Sequence, residues 1–471
     1  MFFNRENELK RLNERYAEGK AQLLIVYGRR RVGKTELLKE FARDKAHIYF
    51  LADLASEKEQ LAEFTERIRL FSRDAALADN PFANWRALFA HLNKLAQNEP
   101  LIVIVDEYQY LQASNRAMAS MTQKAWDEGL KNSRLFLVLC GSYVSFIEQE
   151  LLAYKSPLYG RRTGQFYIEP LSFYQAGRFF PSYSMEDKIR AFGVLGGIPA
   201  YLQQFDTKKT LAQNIRDAFL QTDAFLNNEA RFLLLEELKE PRNYFSILKA
   251  VAAGKTRSNE IVQASGLDRG LVVKYLDVLQ NLRIIRRELP VTERQPEKSR
   301  KGIYVIQDHY LKFWFRFIMP NQSYIEENQP DFLLKQRILP QLDQYLGEVF
   351  EKVCIEFLKQ LNRSAKLPFQ FDRIGRYWQG ETEIDIVAFD AGREQAFLAE
   401  CKWSAKKVGT NVLDDLIVKS SLLQRENGFQ KIYYGLFSKS GFTDALLQSK
   451  RPDLLLFDLK DLAREKVFGG D

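Results

Sequence analysis

The stretch AQLLIVYGRRRVGKTELLKEFA, Ala21 to Ala42, constrains this chain more than any other. An apolar run of strand length leads into a turn, and apolar residues at helical spacing follow. Gly28 to Thr35 fit G-x-x-x-x-G-K-[ST] in the strand-loop-helix setting that the motif requires. Backbone N–H groups of such a loop, with the helix dipole behind them, cradle phosphate oxygens. Gly28 and Gly33 let the backbone turn without a side chain in the way. Lys34 is placed to reach the β- and γ-phosphates, and Thr35 to offer a hydroxyl to Mg²⁺. The expected cradle is Gly28, Arg29, Arg30, Arg31, Val32, Gly33, Lys34, Thr35 and Glu36, with ATP as ligand.

A second apolar strand, PLIVIVDEYQYL, ends in Asp106 and Glu107. Beside a phosphate loop, Asp106 would hold Mg²⁺, and Glu107 would orient or deprotonate the attacking water. A third strand, RLFLVLCGS, ends at Ser142, which either positions water near the γ-phosphate or merely closes a Gly-Ser turn. Arg161 and Arg162 could reach the γ-phosphate, in cis or from a neighbouring subunit, or could be surface charges.

At 471 residues the chain is too long for one core, so three or four domains are expected. Cys140, Cys354 and Cys401 are scattered without a CxxC pair, which points to a reducing compartment and away from a zinc site. His47, His91 and His309 are the three histidines, too few for histidine-based metal chemistry. The start is charged and amphipathic, unlike a signal peptide, and the longest apolar runs are strand length. A cytoplasmic location without membrane contact is expected.

The formal charge of +8 is concentrated. Pro241 to Lys301 holds thirteen Lys/Arg against six Asp/Glu, a net of +7. Here NEIVQASGLDRGLVVKYLDVL reads as helix, tight turn through Gly266, helix. The run RIIRRELPVTERQPEKSRKGIYVIQD then reads as strand, charged tip, strand. The whole is a helix-turn-helix with a basic wing. Arg269 and Lys274 would enter a DNA groove, and Lys298, Arg300 and Lys301 would contact phosphates. The same module could instead pack against a partner protein. Phe313, Trp314, Phe315 and Phe317 crowd together afterwards, as a base-stacking platform or, more simply, as buried helix packing.

EIDIVAFDAGREQAFLAECKW, Glu383 to Trp403, reads as two strands joined at Asp390-Ala391-Gly392. Asp385 lies on the first; Glu400 and Lys402, two apart on the second, face the same way. Two acids and a lysine on neighbouring strands can hold a metal and position a water. Glu383 is an alternative ligand, and Glu348, Glu351 and Glu356 lie on the preceding helix.

The ensemble FFNRENEL, YGRRRVGKTELL, IVDEYQYL, LCGSYVSFIE, LYGRRTGQFYIEPLS and GGIPAYL resembles the prokaryotic branch of the STAND-class ATPases within the AAA+ superfamily, over Phe2 to Leu202. The resemblance implies that Asn4-Arg5-Glu6 lies near the adenine pocket. It also implies that Gly196-Gly197-Ile198-Pro199 marks a helical lid. From Tyr345 to Leu459 the chain resembles the PD-(D/E)xK nuclease fold. That resemblance implies that Asp385 and Glu400 hold Mg²⁺, that Lys402 polarises the water, and that Glu351 is an auxiliary metal ligand.

The expected class is therefore a multidomain α/β chain: a P-loop core over residues 1–170, a helical lid over 171–240, a winged helix over 241–325 and a restriction-endonuclease-like domain over 326–471. The expected activity is a DNA-associated ATPase switch coupled to a Mg²⁺-dependent nuclease-like domain. The alternative is an ATP-gated regulator or scaffold that binds DNA or a protein without cleavage. A nucleotide-dependent oligomer would be needed for any arginine acting in trans.

Overall fold

The apolar run Gln22–Tyr27 forms strand β1, buried at every residue. The computed structural model describes residues 4–238 and 241–464; the few expectations that touch residues 1–3, 239–240 and 465–471 lie outside them. The chain divides into two units, Met1–Leu171 with Ile198–Ala200, and Ser172–Gly197 with Tyr201–Asp471.

In the first unit β1 joins β2 (His47–Leu51), β3 (Leu101–Asp106), β4 (Leu135–Gly141) and β5 (Gly164–Tyr167) in a sheet of order β2-β3-β4-β1-β5. All four pairings are parallel. Continuous apolar strands suit such a sheet, because helices cover both faces. Helices α1 (Glu6–Ala17), α2 (Lys34–Ala42), α3 (Glu57–Ser72), α4 (Trp85–Leu95), α5 (Tyr108–Ser114) and α6 (Met118–Glu128) supply the cover. Leu23, Ile25, Val103 and Leu137 pack with Phe64, Trp85 and Leu88 in one core. Parallel strands end at a common edge, so the loop after β1, Asp106 ending β3 and Ser142 after β4 gather there.

The second unit opens with helices α7 (Met185–Leu195), α8 (Leu211–Phe219) and α9 (Phe225–Glu237). Three more, α10 (Pro241–Ala252), α11 (Ser258–Ser265) and α12 (Arg269–Asn281), precede an antiparallel pair, β6 (Ile285–Glu288) and β7 (Ile303–Ile306). Gly266 ends α11 in the left-handed region, φ 68°, which makes the turn into α12 cheap for glycine. Phe313, Trp314, Phe315 and Phe317 are all buried. Trp314 Nε1 donates to the Asn227 carbonyl at 2.6 Å, so these rings are core, not a stacking platform.

Helix α13 (Leu339–Arg363) then leads to β8 (Arg373–Gln379), β9 (Thr382–Phe389), β10 (Gln395–Lys402), helix α14 (Thr410–Asn427), β11 (Lys431–Ser438) and β12 (Leu454–Asp458). The sheet order is β12-β11-β10-β9-β8, with β10, β11 and β12 parallel and β9 antiparallel to both neighbours. Leu413, Leu416 and Leu423 of α14 pack on Val387 and Leu398. Phe357 of α13 meets Phe437 and Phe457.

The segment between β6 and β7 is not a free hairpin tip. Val291 N donates to the Arg376 carbonyl on β8 at 2.9 Å, and Trp378 Nε1 to the Lys301 carbonyl at 3.0 Å. Arg393 Nη2 donates to the Thr292 carbonyl at 3.3 Å. The segment therefore lies along the β8 edge. Among the described residues no helix is long and apolar enough to cross a membrane.

Candidate nucleotide site and acid-lysine cluster

Gly28 leaves β1 where a Cβ would stand 2.4 Å from the Ile168 carbonyl oxygen, so no larger residue fits without moving backbone. Gly33, at φ 95°, turns the chain into α2. Lys34 is 4 % exposed, and its ammonium donates to the carbonyls of Gly28 at 2.9 Å and Arg29 at 3.0 Å. It thus spans the mouth of the loop where phosphates would lie. Arg5 is buried and donates to the carbonyls of Val32 at 2.9 Å and Glu169 at 2.7 Å, tying the loop to the chain after β5. Arg30 donates to Tyr110 Oη at 2.9 Å and stacks over Tyr143. Arg31 takes a positive φ, 63°. The Glu36 side chain is exposed and stands 3.7 Å from Lys39, so what it can offer the cradle is its backbone N–H at the start of α2. Pro199 stands beside Gly33, bringing residues 198–200 against the loop.

Asp106 is 1 % exposed. Its Oδ2 accepts from Thr35 Oγ1 and from Tyr49 Oη, each at 2.7 Å, and its Oδ1 accepts from Glu107 N at 2.9 Å. A hydroxyl and a carboxylate this close, at the start of a helix, suit a hard divalent ion and its waters. Burial, then the bond to Asp106, raises the Tyr49 phenol well above its ordinary range, so Tyr49 acts as a donor. Glu107 carries φ 52° at the head of α5. Its carboxylate accepts from Ser142 Oγ at 2.7 Å and from Gln109 Nε2, and Gln109 also reaches Ser142 at 3.1 Å.

Lys34, Thr35, Asp106, Glu107 and Ser142 are therefore brought together. Arg161 is not. Thr163 N donates to the Leu23 carbonyl, so residues 161–162 lie at the amino edge of the sheet. Five strand residues, about 16 Å, separate that level from Gly28. Arg161 pairs with Asp127 at 3.1 Å, and Arg162 donates to the Leu152 carbonyl. A contact of Arg161 with the γ-phosphate in cis is corrected by this placement. Tyr49 and Gln109 were missed in the sequence, since nothing in HIYFL or DEYQYL marks them as partners of Asp106 and Glu107.

In the second unit Lys402 Nζ donates to Glu400 Oε2 at 2.6 Å and stands 4.0 Å from Asp385 Oδ2. Asp385 Oδ2 accepts from Cys401 N at 2.8 Å. Lys419, on α14, holds the other oxygen of Glu400 at 2.8 Å, a partner that lies too far along the chain to be read from E-x-K. Burial works against the Glu400 charge, but Lys402 and Lys419 hold its pKa below the usual range. Burial, then the Glu400 charge, pushes Asp385 up to about 6. Burial, then Asp385, pushes Glu351 up to about 8.

Glu351 pairs with Arg376 at 3.2 Å, and Arg376 also holds Glu383. Among the described residues no three His, Cys, Asp or Glu side chains form a metal-binding group. Arg376 takes the Glu351 carboxylate in this structure, as Lys402 and Lys419 take that of Glu400. Asp385 and Glu400 remain as two hard donors.

These shifts set a pH dependence. Both groups ionise near pH 4 when unfolded and higher when folded. Their stabilising effect is full below about pH 4 and lost as pH rises through about 6 and about 8. In chelator the unfolding free energy should fall between pH 5 and 8, by about 1.4 kcal/mol per pH unit for each extra proton the folded state holds, and the melting temperature with it. Thermal melts of the protein and of Asp385→Asn with Glu351→Gln check this; equal slopes would refute it.

Arg269 and Lys274 are exposed on α12, and Lys298, Arg300 and Lys301 on the segment along β8, where Lys301 Nζ donates to Gln379 at 3.1 Å.

Residues 2–205 match the family described as an ATPase domain predominantly from Archaea. Residues 314–412 match a family of archaeal and bacterial proteins of unknown function. An uncharacterized protein of Methanocaldococcus jannaschii is 36% identical over 466 residues, 98% of this chain and 100% of that one. An ATP-binding protein of the same organism is 56% identical over 45 residues, 10% of this chain and 76% of that one. Among solved structures, a Walker-type ATPase of Pyrococcus abyssi aligns with a TM-score of 0.52 at 24% identity, covering 67% of this chain and 96% of that chain. The first unit is thus an archaeal-type P-loop ATPase domain.

Proposed function

The chain belongs to the family of the Methanocaldococcus jannaschii protein that it matches over 466 residues, and from that premise we propose that it is an ATP-binding and ATP-hydrolysing switch of the STAND type within AAA+. The observation that carries this reading is the convergence of Lys34, the Thr35–Asp106 pair and the Glu107–Ser142 pair at one sheet edge. Lys34 would transfer its two carbonyl bonds to phosphate oxygens. Mg²⁺, when bound with ATP, would neutralise phosphate charge beside Thr35 and Asp106. Glu107, aimed by Ser142 and Gln109, would align the attacking water and take its proton. Residues 171–240 would serve as the lid, and residues 241–325 as a winged helix associated with DNA.

Calorimetric titration with ATP and Mg²⁺ tests this. Lys34→Ala removes a buried charged donor worth about 2–5 kcal/mol, so binding should weaken by roughly 30-fold or more. Equal affinity in the two proteins would end the reading.

Asp385, Glu400 and Lys402 favour a second activity, metal-dependent phosphodiester cleavage by a PD-(D/E)xK-like domain over residues 326–471. The adjacency of a carboxylate and an ammonium to Asp385 across β9 and β10 supports it. Incubation of single- and double-stranded DNA with Mg²⁺ or Mn²⁺, with and without ATP, tests it. Cutting lost in Asp385→Ala and Lys402→Ala would support a nuclease. A folded protein that never cuts would leave the ATP-gated DNA or protein binder.

A further inference from the structure

We propose that the segment between β6 and β7, together with the end of α14 and the β8 edge, forms a cleft that seats the phosphodiester backbone of a nucleic acid. This rests on nucleic acid being the partner of the second unit, but not on its being cut.

A cleft of about 390 Å³ opens between Arg294, Lys298 and Lys301 on one side and Gln379, Glu426 and Asn427 on the other. Its walls are fixed to each other by the contacts that hold the segment on β8. Both of its acids accept hydrogen bonds from neutral donors, which position them but leave their charge in place. Glu426 accepts from Tyr377 Oη at 3.0 Å and Gln379 Nε2 at 2.7 Å. Glu293 accepts from Gln295 N at 3.1 Å and Ser299 Oγ at 2.8 Å. Arg393, outside the lining, ties two of the lining residues together through Asn427 Oδ1 at 2.8 Å and the Thr292 carbonyl at 3.3 Å. Arg294 and Lys298 are exposed and, among the described residues, their side chains make no hydrogen bond or ion pair. The lining therefore carries three cations against two carboxylates, and Arg294 and Lys298 are its cations left without a partner among the described residues.

Exposed cations without a partner suit a polyanion such as a phosphodiester backbone. Glu426 and Lys419 lie on the same helix, about 10 Å apart at 1.5 Å per residue. Lys419, one end of that span, already holds Glu400 at 2.8 Å, so the cations left open to a backbone are those of the cleft itself.

The test is anisotropy of labelled single-stranded and duplex oligonucleotides with the full chain, in chelator and without ATP, over a range of salt. Arg294→Ala with Lys298→Ala should weaken binding about tenfold at low salt and reduce the slope of log K against log salt by about 2. Arg294→Lys with Lys298→Arg should bind like the unaltered protein, as should Lys58→Ala with Lys131→Ala on the first unit. The proposal is overturned if the double alanine variant keeps full affinity and slope. Displacement of nucleic acid by polyglutamate at equal charge overturns it too, as does a loss confined to Arg269→Ala with Lys274→Ala. Because no cleavage is read, an inactive nuclease site leaves the result intact.

Discussion

Replacing Glu107 with glutamine should leave ATP binding intact and slow hydrolysis by about 10²- to 10⁴-fold. The glutamine amide oxygen can still accept from Ser142, which stands 2.7 Å from the native carboxylate. The left-handed backbone at residue 107 is equally open to either residue, because the two side chains have the same shape. What is lost is the ability to accept a proton from water. Titration with ATP should therefore give the native affinity while phosphate release nearly stops. Turnover within a factor of two or so of native would show that another group activates the water.

A second large effect is expected from Arg376→Ala. This guanidinium holds Glu351 at 3.2 Å, faces Glu288 at 3.9 Å and binds Glu383. Glu351 and Glu288 are each 13% exposed, so their charges would be left with little water. Removing one partner of a buried pair costs about 3–5 kcal/mol, and the partial exposure of Arg376 points to the lower end. A cost of about 3 kcal/mol lowers the melting temperature by roughly 5 °C in a unit of about 300 residues. The loss should shrink as pH falls below about 8, where Glu351 takes up a proton, and grow towards pH 9. Melts of both proteins across that range check the pattern. A loss independent of pH would mean that Arg376 acts through packing alone.

What the sequence made legible was what lies close along the chain. Gly28 to Thr35 needs one strand, one loop and one helix, all contiguous, and the loop stands as expected. Asp106 and Ser142 were legible because apolar strands ending in polar residues share an edge in a parallel sheet. Tyr49, Gln109 and Lys419 were not, since each finds its partner through strand order or helix rotation. Arg161 shows the opposite failure. It precedes a strand parallel to β1, which puts it at the edge away from the loop, and its charge gave no hint of that. The run from Leu289 to Gly302 looked like an exposed tip because its charges are solvated, yet its backbone is used by β8.

That use has a practical side. β8 is an outer strand, and an uncovered outer strand is a template for other chains. A fragment starting at residue 326, the boundary the sequence invites, would discard the segment whose Val291 and Lys301 mask this strand. Such a fragment should associate through β8 and lose solubility, whereas one beginning at residue 241 keeps its own edge guard.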